Sequence, residues 1–210
     1  MEQTARYDSE DLREAVRVLR EGGIILYPTD TVWGIGCDAT NAAAVERIYR
    51  LKRREDSKAM LCLLDGAGKL QGYVQKIPSV AWDLLESTGG GESAATRGHA
   101  AEEGMRPLTI IYPGAKNVAE NLLAEDGSLG IRITEEPFSK NLCAMLRHPL
   151  VSTSANISGE PAARSFREIS EEIRQGVDYI CKYRQKDPCK GKPSSIIKLG
   201  VNNEVEVIRA

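Results

Sequence analysis

The sequence predicts an α/β (α+β) fold, in which two groups of helices pack against one mixed β-sheet. Two observations lead to this prediction. Short apolar runs typical of buried strands alternate with segments of helical apolar spacing, and no internal repeat is present. Of the 210 residues, 41% are apolar and 28% are charged, which excludes disorder over the whole length. A chain of this length buries roughly 70% of its unfolded surface, enough for a core without disulfides.

The first third of the chain alternates between helices and strands. Ser9 and Asn41 are suited to cap helices at their N-termini, Gly22 stops the first helix, and Pro28 ends the first strand. The predicted elements are a helix over 9–21, a strand over 24–27, a helix over 41–52 and a strand over 59–64.

The remaining two thirds continue this alternation. Residues 87–105 are rich in Gly, Ala and Ser and predict a flexible surface loop, and residues 152–159 predict a polar loop after a short apolar strand. Pro137 suits the first turn of a helix. Helices are predicted over 79–86, 137–146 and 166–174, and strands over 108–112 and 129–133, near Tyr179, and over 195–197 and 205–208.

Charge, cysteine content and hydropathy exclude several classes of protein. Lys plus Arg is 28 and Asp plus Glu is 30, so no global basic field is present and any anion site is local. Five cysteines without a C-x-x-C pair favour buried free thiols in a reducing compartment. Two distant histidines argue against a zinc site or a Ser-His-Asp triad. No apolar run reaches about 18 residues and no signal peptide is present, so we expect a cytoplasmic protein without membrane association.

The first polar segment that predicts chemistry is residues 27–36, Tyr-Pro-Thr-Asp-Thr-Val-Trp-Gly-Ile-Gly. Hydroxyls, a carboxylate and two glycines follow a buried strand, at the kind of strand end where open α/β sheets commonly bind ligands. The alternative is a turn in which the Thr and Asp side chains satisfy nearby backbone groups.

The second segment contains the cations Lys52, Arg53, Arg54 and Lys58, at and just after a predicted helix end. These cations favour a pocket for an anion of several charges, since arginine can grip phosphate oxygens with two hydrogen bonds. The alternative is a solvated helix end whose cations complement the helix dipole.

The third segment, Ser-Thr-Ser-Ala-Asn-Ile-Ser-Gly at 152–159, lacks the spacing of a P-loop. Its small side chains leave room for backbone N–H groups to form a nest around a phosphate. Ser- and Asn-rich turns are common, so this segment alone is a weak signal.

Taken together and in this order, the three segments resemble the YrdC/TsaC family of L-threonylcarbamoyladenylate synthases, which begin the threonylcarbamoyl modification of tRNA. The specific part of the resemblance is the pair of patterns K-x-R at Lys52 and Arg54 and S-x-N at Ser154 and Asn156. Further matches in the family's order are residues 23–64, 106–109, 130–133 and 193–197, and Arg209.

The resemblance implies a single YrdC/RibB-like domain over residues 1–210, with a twisted sheet around a large, positively charged cavity. It implies catalytic roles on the ATP phosphates for Lys52, Arg54, Ser154 and Asn156. It places three further residues toward ATP, namely Lys58, Thr109 and Arg209. It implies threonine contacts for Thr31, Arg132, Ser152 and Ser194.

The implied enzyme is a nucleotidyltransferase that uses L-threonine, bicarbonate or CO2, and ATP. A carbamate formed on the threonine amine attacks the α-phosphorus and expels pyrophosphate, so fixed cations and exclusion of water matter more than a nucleophile. Mg²⁺ is expected with ATP, but the sequence has no dedicated carboxylate cage. Asp30 is the one carboxylate suspected near the metal, and capping a turn is the alternative for it. The implied partner is the downstream tRNA-threonylcarbamoyl transferase machinery.

Two departures from the family's pattern bear on selectivity. Leu63 stands where many members have a histidine near threonine, and Met105-Arg106 replaces Trp-Pro in a frequent motif. The alternatives are a double-stranded RNA- or tRNA-binding YrdC-like protein without synthase activity, and a carbamoyl-transferring relative. The paired K-x-R and S-x-N patterns and the near-neutral charge favour catalysis, since nonspecific RNA binding needs only cations along a face.

Overall fold

The computed structural model describes residues 7–53, 60–87, 107–187 and 193–210. None of the helices in these ranges is long and apolar enough to cross a membrane. In chain order, the elements described are α1 (Ser9–Arg20), β1 (Ile25–Tyr27), β2 (Gly34–Gly36), α2 (Ala42–Lys52), β3 (Leu61–Leu64), α3 (Val80–Ser87), β4 (Leu108–Tyr112), β5 (Leu129–Ile133), α4 (Pro137–Leu146), β6 (Leu150–Ser154), α5 (Glu171–Gly176), β7 (Tyr179–Ile180), β8 (Ser195–Leu199) and β9 (Val205–Arg209).

The nine strands form one mixed sheet in the order β7-β1-β2-β6-β3-β5-β4-β8-β9. The pairs β1–β7, β3–β5 and β4–β8 are parallel, and the other neighbours are antiparallel. The α/β architecture with a mixed sheet is therefore confirmed.

Side chains alternate between the two faces of each strand, and this alternation divides the core in two. On one face, Leu26 and Cys62 join a large apolar cluster with residues of α2, α3 and α5. On the other face, Tyr27, Leu63 and Leu150 pack under α1 and α4, which contact each other.

The helices α1 and α4 cover only part of their face of the sheet. Because of the alternation, Leu61 shares this face with Leu63, and Ser152 shares it with Leu150. Leu63 and Leu150 are buried by the two helices, whereas Leu61 and Ser152 line an open cavity. The sheet therefore forms an apolar core and a cavity floor side by side.

Three helix N-termini show why the predicted helices begin where they do. The side chain of Asn41 accepts a hydrogen bond from the Ala44 N–H, as predicted. Helix α1 is capped by Asp8 and not by Ser9, because the Asp8 carboxylate accepts from the Glu10 N–H at 2.8 Å. Pro137 occupies the first turn of α4, where its missing N–H costs nothing.

One strand was missed, and one predicted loop was partly wrong. Strand β2 was not predicted, because its sequence, Gly-Ile-Gly, carries almost no apolar pattern, and it exists through pairing with β1 and β6. The predicted polar loop over 152–159 begins as strand, since Ser154 pairs with Gly34 and Thr153 with Ile35. Pairing with strands that are distant in sequence therefore determines the secondary structure of both segments.

The predicted helix over 166–174 is also a correction. A short 3₁₀ turn at Phe166–Glu168 comes first, and α5 starts only at Glu171. The break lies at Ser170, whose hydroxyl accepts from the Ile173 N–H and starts a new helix. A capping residue inside an apolar pattern therefore divides it in two.

The four cysteines in the described ranges are buried and free of disulfides, as predicted for them. Burial raises the pKa of the Cys143 thiol to about 12. Thiols of this kind are unreactive. Cys189 lies outside the described residues.

Candidate active site

A cavity of about 1020 Å³ opens on the face of the sheet that α1 and α4 leave uncovered. This volume is at the upper end for small-molecule sites, which run from about 300 to 1,000 Å³. Seven neighbouring strands, from β2 to β9, contribute to it. In sheet order, representative floor residues are Gly34, Ser152, Leu61, Gly130, Ile111, Ile196 and Arg209.

Most of the predicted site residues that the structure describes line this one cavity. Their positions in the sequence extend over nearly the whole chain, and the sheet pairing brings them together. They are Thr31, Thr109, Arg132, Ser152, Ser154, Asn156, Ser194 and Arg209. Arg54, Lys58 and most of the predicted 87–105 loop lie outside the described residues, so their predicted roles stay predictions.

Lys52 lies beneath the S-x-N segment and is not among the residues that line the cavity. Only 1% of Lys52 is exposed, and its ammonium donates to the backbone carbonyls of Ser154 and Asn156, each at 2.5 Å. In return, the Ser158 N–H donates to the Lys52 carbonyl at 2.9 Å. The K-x-R helix end and the S-x-N segment are thus held together, and the predicted contact of Lys52 with phosphates stays a prediction.

The backbone of the S-x-N segment does not form the predicted nest at the N–H groups of residues 155, 156 and 158. These groups donate to the carbonyls of Trp33, Ser154 and Lys52, respectively. Because they are committed inside the protein, the segment presents side chains to the cavity.

Asn156 lines this cavity and has one unused acceptor, which is buried beside it. Its Nδ2 donates to the carbonyls of Ile157 and Glu160, at 3.0 and 2.7 Å. Its Oδ1 has no hydrogen-bond partner among the described residues. The free oxygen suits an N–H or O–H group of a ligand.

The hydroxyl of Thr31 also faces the cavity as an acceptor. The Thr29 hydroxyl donates its one proton to the Val32 carbonyl at 2.7 Å and accepts from the Thr31 N–H at 3.0 Å. The 3.0 Å bond between the two hydroxyls must therefore be donated by Thr31. The lone pairs of Thr31 remain for a ligand.

On the far side of the cavity, Thr109, Ser194 and Arg209 form a second cluster. The hydroxyls of Thr109 and Ser194 are 3.0 Å apart, and Arg209 Nε donates to the Ser194 carbonyl at 2.8 Å. Arg209 Nη2 also donates to Ser194 Oγ at 3.3 Å. Ser194, predicted to face threonine, therefore lies with the two residues predicted for ATP.

Arg132 is a buried cation at the Thr31 side of the cavity. It is 3% exposed, and its Nη2 lies 2.9 Å from Asp30 Oδ1. Burial raises the pKa of the Asp30 carboxyl above its ordinary value, and the charges of Arg132 and Arg184 offset part of this effect. Asp30, suspected near a metal or as a turn cap, pairs here with an arginine.

The described wall of the cavity is balanced in charge. Lys198 and Asp126 form an ion pair at 2.6 Å, and the hydrogen bond from Lys198 lowers the pKa of Asp126 to about 2. The charged residues of this wall are the cations Arg132, Lys198 and Arg209 and the carboxylates Glu125, Asp126 and Glu160. A net positive cavity remains a prediction that rests on Arg54 and Lys58.

Sequence reasoning missed two residues that support the site. Gly130 lies in the middle of the floor, in the segment 130–133, where the sequence indicated a role only for Arg132. Arg184 donates to the Thr29 carbonyl at 3.3 Å and lies 3.9 Å from the buried Glu136 carboxylate. No pattern around Arg184 could have indicated this contact.

Comparison with models of protein families identifies the family of this chain. The model of the Sua5/YciO/YrdC family, described as telomere recombination, matches residues 17–210. The chain belongs to this family. The resemblance to YrdC/TsaC proteins inferred from the K-x-R and S-x-N patterns is therefore confirmed.

Curated members of the Sua5/YciO/YrdC family match over most of their length. A threonylcarbamoyl-AMP synthase of Nitrosococcus oceani is 34% identical, over 80% of this chain and 83% of the relative. A threonylcarbamoyl-AMP synthase of Pseudoalteromonas translucida is 32% identical, over 94% of this chain and 97% of the relative.

Solved structures of the Sua5/YciO/YrdC family share the fold. Escherichia coli YciO superposes with a TM-score of 0.77 at 25% identity, over 96% of this chain and 89% of YciO. P. abyssi Sua5 complexed with L-threonine gives a TM-score of 0.79 at 24% identity, over 92% of this chain and 52% of Sua5. The chain thus spans about half the length of that Sua5, and at this identity the likeness concerns the fold alone.

Proposed function

We propose that the protein is a threonylcarbamoyl-AMP synthase, an ATP-dependent nucleotidyltransferase. It forms threonylcarbamoyl-AMP and pyrophosphate from L-threonine, bicarbonate or CO2, and ATP, for the t6A modification of tRNA. The observation that supports the proposal is that residues predicted for threonine and for ATP line one cavity, whose floor runs from Gly34 on β2 to Arg209 on β9, with Arg132 on β5 and Thr109 on β4 between them. Curated relatives of this name, matched over at least four fifths of the chain, support it.

In this reaction, the threonine amine forms a bond to the carbon of CO2 and loses a proton, giving a carbamate. A carbamate oxygen then attacks the α-phosphorus of ATP, and the bond to the pyrophosphate oxygen breaks. Because the carbamate is short-lived in water, the main contribution of the protein is to hold the reactants together away from solvent. A cavity of about 1020 Å³ that extends over seven strands has room for both substrates side by side.

The negative charge that develops on the phosphate oxygens needs fixed cations. Arg54 and Lys58 are the predicted candidates, with Arg209 on the nucleotide side. We propose that Lys52 acts from beneath the S-x-N segment, where it fixes the backbone of Ser154 and Asn156. A charge held in a buried position acts more strongly than one in water and needs no rearrangement during the reaction.

Mg²⁺ enters this proposal as part of the substrate MgATP. Among the described residues, no group of three or more His, Cys, Asp or Glu side chains is arranged to hold a metal ion. Asp126 is engaged with Lys198, which leaves Glu125 and Glu160 as the other carboxylates of the described wall. The ATP phosphates and water would therefore supply most of the metal ligands.

The product is a mixed anhydride that water hydrolyses, so it must pass quickly to an acceptor. We propose that the tRNA-threonylcarbamoyl transferase machinery receives it in the cytoplasm. We also propose that residues 1–210 act as a single domain.

Direct tRNA binding is the second candidate activity. It would depend on cations that contact phosphates, so its affinity would fall as the salt concentration rises.

The test is release of pyrophosphate by the purified protein with MgATP, threonine and bicarbonate, repeated with each substrate omitted. The proposal predicts release that requires all three. Release that is unchanged without threonine would overturn the assignment of the amino acid. Release that requires carbamoyl phosphate in place of threonine would favour the carbamoyl-transferring relative, and salt-sensitive tRNA binding without release would favour the RNA-binding alternative.

A further inference from the structure

We propose that Asp30 is a positioning residue that holds the Arg132 guanidinium in place to bind the carboxylate of the amino-acid substrate. The inference deepens the proposed function, on which its choice of substrate rests. Asp30 does not touch the substrate and acts only through Arg132.

Arg132 is a buried cation at the edge of the cavity. An arginine that is 3% exposed and lines a cavity has lost most of its contact with water, which is costly for a charge. Its Nε has no hydrogen-bond partner among the described residues, although it is buried. A buried N–H of this kind beside a cavity is suited to an acceptor supplied by a ligand, and a carboxylate matches the guanidinium with two parallel bonds.

The ion pair of Arg132 and Asp30 carries little net charge. Asp30 lies 2.9 Å from Arg132 and already balances one positive charge. The pair therefore presents a directional donor with little net charge, which suits a monoanion such as a carboxylate. A triphosphate carries several charges and needs several uncompensated cations.

Thr31, the next residue after Asp30, offers an acceptor. The Thr31 hydroxyl donates to Thr29 and keeps its lone pairs for a ligand, as described above. An amino acid carries an N–H donor one carbon away from its carboxylate. Asp30 precedes Thr31 in the chain and forms an ion pair with Arg132, so it connects the two residues. The Thr31 acceptor then suits the amine of the amino acid, and the Arg132 donor suits its carboxylate.

The segment that carries Asp30 is held by its neighbours. The Asp30 side chain is 17% exposed, and its Oδ1 has no hydrogen-bond partner among the described residues, so charge holds it against Arg132. The adjacent Thr29 carbonyl accepts a hydrogen bond from Arg184. Arg184 lies 3.9 Å from Glu136, which is itself buried at the start of α4. The loop that carries Asp30 and Thr31 is thus tied to α4 and to the chain that follows β7.

The test compares binding of two probes, L-threonine and L-threonine amide, to the whole protein by calorimetry. The amide keeps the amine and the side chain but lacks the carboxylate. In Asp30→Asn, affinity for threonine should fall about tenfold, and affinity for the amide should change by less than about twofold. In turnover, KM for threonine should rise while KM for ATP stays constant.

The matched control is Asp178→Asn. Asp178 forms an ion pair of the same length, 2.9 Å, with Arg47, and it is not among the residues that line the cavity. Threonine affinity should be unchanged in this variant. If Asp30→Asn does not fold, Asp30→Glu keeps the charge but moves it by one methylene, and it should show the same selective loss for threonine.

Equal losses for threonine and its amide would overturn the inference, because they indicate general damage to the loop. Unchanged or tighter threonine binding in the Asp30 variants would also overturn it, since Asp30 would then only compete with the ligand for Arg132. If the selective loss is found but pyrophosphate release does not require threonine, the proposed function fails and this inference stands.

Discussion

Gly130 is the residue that keeps the centre of the cavity open. It lies on β5, between Leu61 on β3 and Ile111 on β4. A Cβ added at this position would lie 3.4 Å from Leu61 Cβ and 3.5 Å from Thr109 Cγ2, which are ordinary contacts. The backbone therefore tolerates a side chain, and the space above it is what a larger side chain would remove.

Substitution of Gly130 tests whether this space is the substrate site. Gly130→Ala should fold with a Tm close to that of the natural protein and serves as the control. Gly130→Leu projects further into the cavity and should raise KM for ATP or threonine at least about tenfold, since one such clash removes about 1.4 kcal/mol of binding or more. Thermal unfolding and pyrophosphate release measure the two effects. Wild-type KM values for both substrates in folded Gly130→Leu would place the site elsewhere.

Lys52 shows how far the sequence predicts the site at the scale of one residue. The K-x-R and S-x-N patterns predicted that residues about 100 positions apart meet, and Lys52 does contact Ser154 and Asn156. The sequence could not predict that its ammonium points to their carbonyls and away from the cavity. That direction depends on how the backbone turns after β6.

At the scale of elements, Asp11 ties α1 to the chain around the end of β7. It is 1% exposed, and its carboxylate accepts from the Tyr179 hydroxyl at 2.7 Å and from the N–H groups of Lys182 and Tyr183. The same stretch carries Arg184, which holds the Thr29 carbonyl. Helix α1 thereby supports the loop between β1 and β2, which carries Asp30 and Thr31.

Replacement of Asp11 should therefore destabilise the whole fold. Asp11→Ala leaves three part-buried donors without their acceptor, and we expect a loss of about 3 kcal/mol in the free energy of unfolding, at about 1 kcal/mol for each donor. Urea unfolding measures this loss. Arg13→Ala, on the exposed side of the same helix, should change stability by less than about 0.5 kcal/mol. Equal stabilities of the two variants would refute the role given to Asp11.

Elements with a strong local pattern were predicted to the residue. Strand β4 (Leu108–Tyr112), strand β5 (Leu129–Ile133) and helix α4 (Pro137–Leu146) have the predicted bounds. Strand β2 was missed because its state depends on Ser154 and Thr153, about 120 positions later in the chain. Local apolar spacing predicts what packs on its own, but it does not predict a strand made by its partners.

At the scale of the molecule, the sheet order determines the function we propose. The residues before β2 and those of β9 lie on opposite sides of one cavity, with β6, β3, β5, β4 and β8 between them. This arrangement places the predicted amino-acid side and the predicted nucleotide side on one continuous floor. The central claim is that threonine and ATP react within this cavity, through one carbon derived from bicarbonate.

The most direct measurement is mass spectrometry of the nucleotide product formed from threonine, MgATP and ¹³C-labelled bicarbonate. We expect a threonine-containing AMP derivative that carries the label and forms together with pyrophosphate. A threonine–AMP product without the label would contradict it, because the amino acid would then have attacked ATP directly. Pyrophosphate formed with no threonine in the nucleotide product would contradict it as well.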